Sequence, residues 1–286
     1  MKSPNIEEAL AGIRELPTLP AVLGKILNAA ADPDSSAIDL GRLIAADQSL
    51  SAILLKLVNS SYYGFYRQIK TVTQAIVVLG FLEVRNLTLT ATAFHVFDEF
   101  PSKYDRQQLW RHSLAVALAS DRIAKLLSKN PEGYFEAGLL HDIGKVVLDW
   151  LYPDLFRSAV AEADEKDCSI AEAEQNVFGM NHAAVGGLLG EYWHLPETVV
   201  EAIRCHHAPD EATLDPDQAY IIAAANALSY RAGLGETSSG VPPELGDELM
   251  IRLGLTPELC ASVVAELHDN ALKIDEMVGA LASSAA

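Results

Sequence analysis

Residues Tyr134–Leu151 read YFEAGLLHDIGKVVLDWL, and the rest of the chain is understood from them. Phe135, Leu139, Leu140, Ile143, Val146, Val147 and Trp150 recur at helical spacing, without strand alternation. The pattern predicts one largely buried helix through the whole stretch. His141, Asp142 and Lys145 stand in its middle. Burying ionisable groups is costly unless they are paired or bound to a metal. A neutral imidazole beside a carboxylate offers one nitrogen and one oxygen ligand to a divalent cation. Lys145 lies one turn on, where it either pairs with Asp142 or faces an anionic ligand. The plainer alternative is a buried Asp–Lys pair with a hydrogen-bonded histidine.

On both sides of this stretch the chain reads as helix. Thr18 and Pro20 suit the start of a helix over 17–30, and Ser36 with Asp39 resembles a capping box for the next. Gln48–Asn59, Thr71–Leu79 and Leu82–Phe97 follow, with the polar, aromatic break NSSYYGFY (59–66) read as a loop. Asp105–Leu127 is a long amphipathic helix. Beyond Pro153 come Leu155–Glu165, a helix capped by Ser169, Asn181–Trp193, a helix opened by Pro196, and Asp217–Arg231. Gly233–Pro243 (GLGETSSGVPP) has linker composition, and two helices follow it. The expected fold is all-α and two-lobed. Residues 1–100 form an N-terminal helical lobe and 101–233 a second lobe. Residues 234–286 supply a linker and C-terminal helices.

The formal charge is −18 over 286 residues. That argues against nonspecific binding to nucleic acid or an acidic membrane surface, which both need a basic face. No apolar run approaches the roughly 20 residues of a membrane span, and the start, MKSPNIEEAL, lacks the apolar core of a signal peptide. Cys168, Cys205 and Cys260 are scattered, which suits reduced thiols in a cytoplasmic protein.

Of eight histidines, His112, His182, His206 and His207 lie on predicted helices where a metal site could use them beside His141, and His194 fits less well. Helix bundles build metal sites this way, from side chains on facing helices. His194 reads better as a loop or packing residue. His95 and His268 fall outside the pattern.

The order His112, then His141-Asp142-Ile143-Gly144-Lys145, then His182, then His206-His207 resembles the HD superfamily of metal-dependent phosphohydrolases. More narrowly, the chain resembles the HDOD family, the HD-related output domains of bacterial signalling proteins. LPTLPAVLGKIL (16–27), DLGRLIAADQSLSAILLKLVNSSYYG (39–64) and TVTQAIVVLGFLEVRNLTL (71–89) carry that narrower likeness, which runs from about Leu16 to Asp210. The resemblance implies an all-α, two-lobed fold and a role in signal transduction. It also implies that His112, His141, Asp142, His182, His206 and His207 are metal ligands. Asp142 and Lys145 are the residues expected to matter for any chemistry. The closing Asp of the superfamily pattern falls at or near Asn226, and APDEATL after His207 lacks the Gly-Tyr-Pro signature of the branch that cleaves cyclic dinucleotides.

With Asp142 as the one clear carboxylate, imidazole-tolerant ions should bind best. The expected cofactor is therefore a divalent metal, Fe, Zn, Ni or Mn. Two functions stay open. One is a regulatory output module that binds a signalling protein or a small nucleotide-like ligand. The other is a metal-dependent phosphohydrolase acting on a phosphoester or nucleotide.

Overall fold

The structure, a computed structural model, describes residues 37–60, 63–98, 104–130, 132–235 and 240–282. The helix expected over 17–30 and its Ser36 neighbour lie outside them. Among the described residues the fold is all-α, and the sole β pairing is one isolated bridge between Ser169 and Gly240. No described helix is long and apolar enough to cross a membrane. The chain divides into two compact units.

The smaller unit holds α1 (Ala37–Ala45), α2 (Gln48–Val58), α3 (Val72–Leu79) and α4 (Phe81–Asp98), with residues 270–282 at the chain's end. Asp47 and Thr71 cap α2 and α3 by accepting from Leu50 N and Gln74 N. Leu40, Ile44, Leu54, Leu57 and Val84 are buried. Thr88 and Thr92 are buried too. Their hydroxyls donate to the Val84 and Thr88 carbonyls, which satisfies them inside the helix.

The larger unit holds α5 (Arg106–Leu126), α6 (Tyr134–Leu140), α7 (Ile143–Leu151), α8 (Pro153–Lys166), α9 (Ile170–Phe178) and α10 (His182–Tyr192). After these come α11 (Glu197–Cys205), a 3-10 turn at Pro209–Glu211, α12 (Pro216–Arg231), α13 (Asp247–Leu253) and α14 (Pro257–Ala282). Side chains cap the starts. Asp105 accepts from Gln107 N and Gln108 N, Ser169 from Glu172 N, Asn181 from Ala184 N and Asp215 from Gln218 N. α5 packs on α6 and α12, while α10 packs on α7 and α11. Leu114, Leu139, Val147, Leu189, Ile203 and Ile221 fill the space between, each at most 2% exposed.

Residues 240–269 cluster with the larger unit and 270–282 with the smaller, and Leu245, Leu253, Leu255, Cys260 and Val263 are core residues. One sequence expectation needs correction: Tyr134–Leu151 is two helices rather than one and turns at His141–Asp142.

Candidate metal centre

That turn aims the site. Neighbouring residues on a continuous helix point about 100° apart, so His141 and Asp142 could not share one target. The break, with Asp142 at φ −99°, ψ 8°, brings the two side chains together. Gly144 then lets another helix approach. A Cβ there would lie 2.0 Å from the His182 carbonyl oxygen and 2.8 Å from Gly186 N. Only glycine permits that crossing of α7 and α10, and the crossing delivers His182 to Asp142.

His112, His141, Asp142, Lys145, His182 and His206 are all at most 2% exposed, and His207 opens toward solvent. The histidines come from α5, from the α6–α7 turn, from the start of α10 and from the end of α11. Four of their rings are anchored alike through Nδ1. His112 Nδ1 bonds the Leu234 carbonyl at 3.0 Å, His141 the Gly138 carbonyl at 2.8 Å, and His206 the Ile203 carbonyl at 2.7 Å. His182 Nδ1 bonds Glu174 Oε2 at 2.6 Å. A carbonyl or carboxylate accepts, so each Nδ1 carries the proton and each Nε2 is left as a donor atom.

All four Nε2 atoms surround one carboxylate. Asp142 Oδ2 is 3.7 Å from His112 Nε2 and 3.3 Å from His141 Nε2. Asp142 Oδ1 is 3.0 Å from His182 Nε2 and 3.7 Å from His206 Nε2. Lys145 Nζ donates to Oδ2 at 2.7 Å. His207 Nε2 lies 2.9 Å from His182 Nε2. Two imidazole lone pairs tolerate that distance only with a proton or a cation between them. The donor atoms form two groups, His112–His141–Asp142 and His182–His206–His207, each within 4.8 Å.

Electrostatics follow from burial and crowding. Burial opposes ionisation of Asp142, yet His141, Lys145 and His182 hold its pKa well below the usual carboxylate range. Burial alone would depress His182. The Glu174 and Asp142 carboxylates override it and raise its pKa to about 9. For His206, burial and then the His207, His141 and His182 rings push the pKa well down, so it stays neutral.

These residues fit a metal. His141 Nε2 and His206 Nε2 are buried without a hydrogen-bond partner. Each would cost about 1–3 kcal/mol as an orphaned polar atom, and a bound cation satisfies both. Nδ1-anchored imidazoles are also how proteins orient metal-binding histidines.

Residues 16–209, more than half of the chain, match the HDOD domain family. The chain belongs to the HDOD domain family. An HDOD domain protein of unknown function from Geobacter sulfurreducens superposes with a TM-score of 0.80 at 27% identity, over 97% of this chain and 99% of that one. A proposed phosphohydrolase from Shewanella amazonensis gives 0.74 at 23% identity, over 96% and 97%, a likeness that shows the fold alone. An uncharacterised protein of Treponema pallidum is 30% identical over 206 residues. Those residues are 70% of this chain and 40% of the relative, so the chain spans well under half of that relative's length.

The structure also places what the HDOD likeness left open. Asn226, from inside α12, is 3% exposed, and its Oδ1 is buried without a hydrogen-bond partner. It lines a cavity of about 670 Å³ together with Asp142, Lys145, His206 and His207. His194 is exposed at positive φ beyond α10, and His95 and His268 are exposed.

Glu174, which holds His182, is the candidate site residue that the sequence did not single out. It is fully buried, and its Oε2 also accepts from the His182 backbone N at 2.7 Å. A signal existed. Ile170, Ala173, Val177 and Phe178 form an apolar helical stripe, and Glu174 occupies a stripe position. The carbonyls of Gly138, Ile203 and Leu234 carried no side-chain signal at all.

Proposed function

We propose that this HDOD chain is a signalling output module whose larger unit holds a divalent metal, Fe, Zn, Ni or Mn. His112, His141, Asp142, His182, His206 and His207 would hold it. A small, nucleotide-like phosphate ligand would bind in the adjoining cavity, and a signalling protein would be the downstream partner. The observation that carries this reading is the convergence of four Nδ1-anchored imidazoles on one carboxylate. Asn226 supplies an amide where a second carboxylate would neutralise charge. One carboxylate against a divalent cation leaves the site net positive, and an anion completes it.

A second reading, metal-dependent phosphohydrolase, is favoured by Lys145. Its ammonium is buried against Asp142, where it would offset charge developing on a phosphoryl group. A bound metal would supply Lewis acidity to a phosphoryl oxygen or a water. Asp142 sets the charge of the centre, and neutral His206 keeps a lone pair available.

Calorimetry with inorganic phosphate, alongside a phosphoester panel, separates the readings. The regulatory reading expects phosphate to bind metal-loaded but not metal-stripped protein, with no metal-dependent turnover. Turnover that Lys145→Ala abolishes, with the fold kept, would replace it by the hydrolase reading. Equal phosphate binding with and without metal would overturn both.

A further inference from the structure

The cavity beside the metal donors has a wall outside the residues that match the family. Past residue 209 the chain returns over it as a strap, residues 240–244. Gly240 pins the strap. It sits at φ +66°, where a Cβ would lie 2.2 Å from the Cys168 carbonyl oxygen and 2.9 Å from Ala163 Cβ. Gly240 N donates to Asp164 Oδ1 at 3.3 Å, and Val241 N donates to the Cys168 carbonyl at 3.0 Å. The pin sets Val241, Pro242 and Pro243 into the cavity wall, which Ile170 and Leu249 of α13 also line. Consecutive prolines have fixed φ and little entropy left to lose when a ligand packs on them.

The lining is therefore graded. At its base lie Asp142, His206 and Asn226, all at least nine-tenths buried, and His206 Nε2 and Asn226 Oδ1 lack a hydrogen-bond partner. The strap is apolar at Val241, Pro242 and Pro243 and ends in Glu244. Asp167, Glu172 and Glu244 also line the cavity, against one further cation, Lys166, whose Nζ is already held by Glu162 at 2.8 Å. The unpartnered atoms at the base are lone pairs that a cation would satisfy, so a single anionic head suits the base once a metal is bound there, and a flat apolar body suits Val241, Pro242 and Pro243. A run of phosphates would meet the outer carboxylates.

We propose that the Val241–Glu244 strap is the selectivity wall of this cavity. Its ligand would be a singly phosphorylated molecule with a flat, ring-bearing body, not a polyphosphate or a nucleic acid. The inference rests on the reading of the site as a metal centre that takes a phosphate ligand.

The test uses the whole 286-residue chain, metal-loaded, and titration calorimetry with methylphosphonate, phenylphosphonate and inorganic triphosphate. The two phosphonates share a head group and resist hydrolysis. Phenylphosphonate should bind about tenfold tighter than methylphosphonate, which corresponds to about 1.4 kcal/mol and burial of roughly 55 Å² of ring. Triphosphate should bind no tighter than methylphosphonate. Replacing Pro242 and Pro243 together by Ser should erase the ring preference with metal content unchanged. Gly240→Val, which drives the strap off Cys168, should do the same.

Equal binding of the two phosphonates by wild-type protein, or tighter binding of triphosphate, would overturn the ligand class. A ring preference that survives both strap variants would overturn the strap's role. Failure of the protein to bind metal, or of methylphosphonate to bind the loaded protein, would instead bring down the reading on which this one rests.

Discussion

Gly144→Ala tests how the fold assembles the metal centre. The added Cβ would lie 2.0 Å from the His182 carbonyl oxygen and 2.8 Å from Gly186 N. A carbon–oxygen contact needs about 3.3 Å, so α7 and α10 must part by roughly 1.3 Å. Both obstructions are backbone, and no rotamer change relieves them. His182 travels with α10, so its Nε2, now 3.0 Å from Asp142 Oδ1, would be carried off by a comparable distance. Metal–ligand distances hold within about 0.2 Å, so His182 would leave the ligand set. Overpacking of this kind costs about 1–3 kcal/mol, and at about 2–4 °C per kcal/mol for a domain of this size the melting temperature falls by roughly 2–12 °C. Calorimetric melts and competition against a metal chelator measure the two effects. Gly279→Ala is the control, because a Cβ there meets nothing within 4 Å. Wild-type metal affinity in Gly144→Ala would refute the claim that this close approach positions His182.

Glu174→Gln removes the charge that holds His182 Nδ1 while keeping its shape. Metal affinity should fall about 10–100-fold, read by chelator competition, with the helical circular dichroism retained. Asn226→Asp adds a second carboxylate at the cavity base and should tighten metal binding. Unchanged affinity would place Asn226 outside the ligand set. The pKa of His182 is raised to about 9 from a reference of 6.5, so its stabilising contribution is complete below pH 6.5 and is lost as pH rises to about 9. Melts of chelator-treated protein should therefore fall over that window, and less steeply in Glu174→Gln. In metal titrations the same proton competes with the cation, so apparent affinity should rise by up to about tenfold per pH unit until pH 9.

The residues that the structure gathers around Asp142 were legible in the sequence because candidate metal chemistry is written in side-chain identity. Five histidines and an aspartate stand on helices whose apolar spacing is plain. The helix break at His141–Asp142 was not legible, because the apolar period runs through it unbroken from Phe135 to Trp150. The anchors of His112, His141 and His206 are main-chain carbonyls, one of them 122 residues away from its ring, and any residue type supplies a carbonyl. Glu174 hid among the acidic residues of AEAEQ, although its place on the apolar stripe marked it. The GLGETSSGVPP segment has linker composition, yet within its described residues Val241 N donates to the Cys168 carbonyl in the α8–α9 turn and Gly240 N to Asp164 Oδ1 of α8. Composition reports the flexibility of an isolated segment and carries no information on what it docks against.

Elemental mass spectrometry, on protein purified without chelator or metal-binding tag, tests the metal centre most directly. About one to two equivalents of iron, zinc, nickel or manganese are predicted. They should be lost in His141→Ala, whose helical circular dichroism stays intact. Less than about a tenth of an equivalent after reconstitution under reducing conditions would contradict the metal centre. It would leave the converging histidines as a buried polar cluster around Asp142 and Lys145.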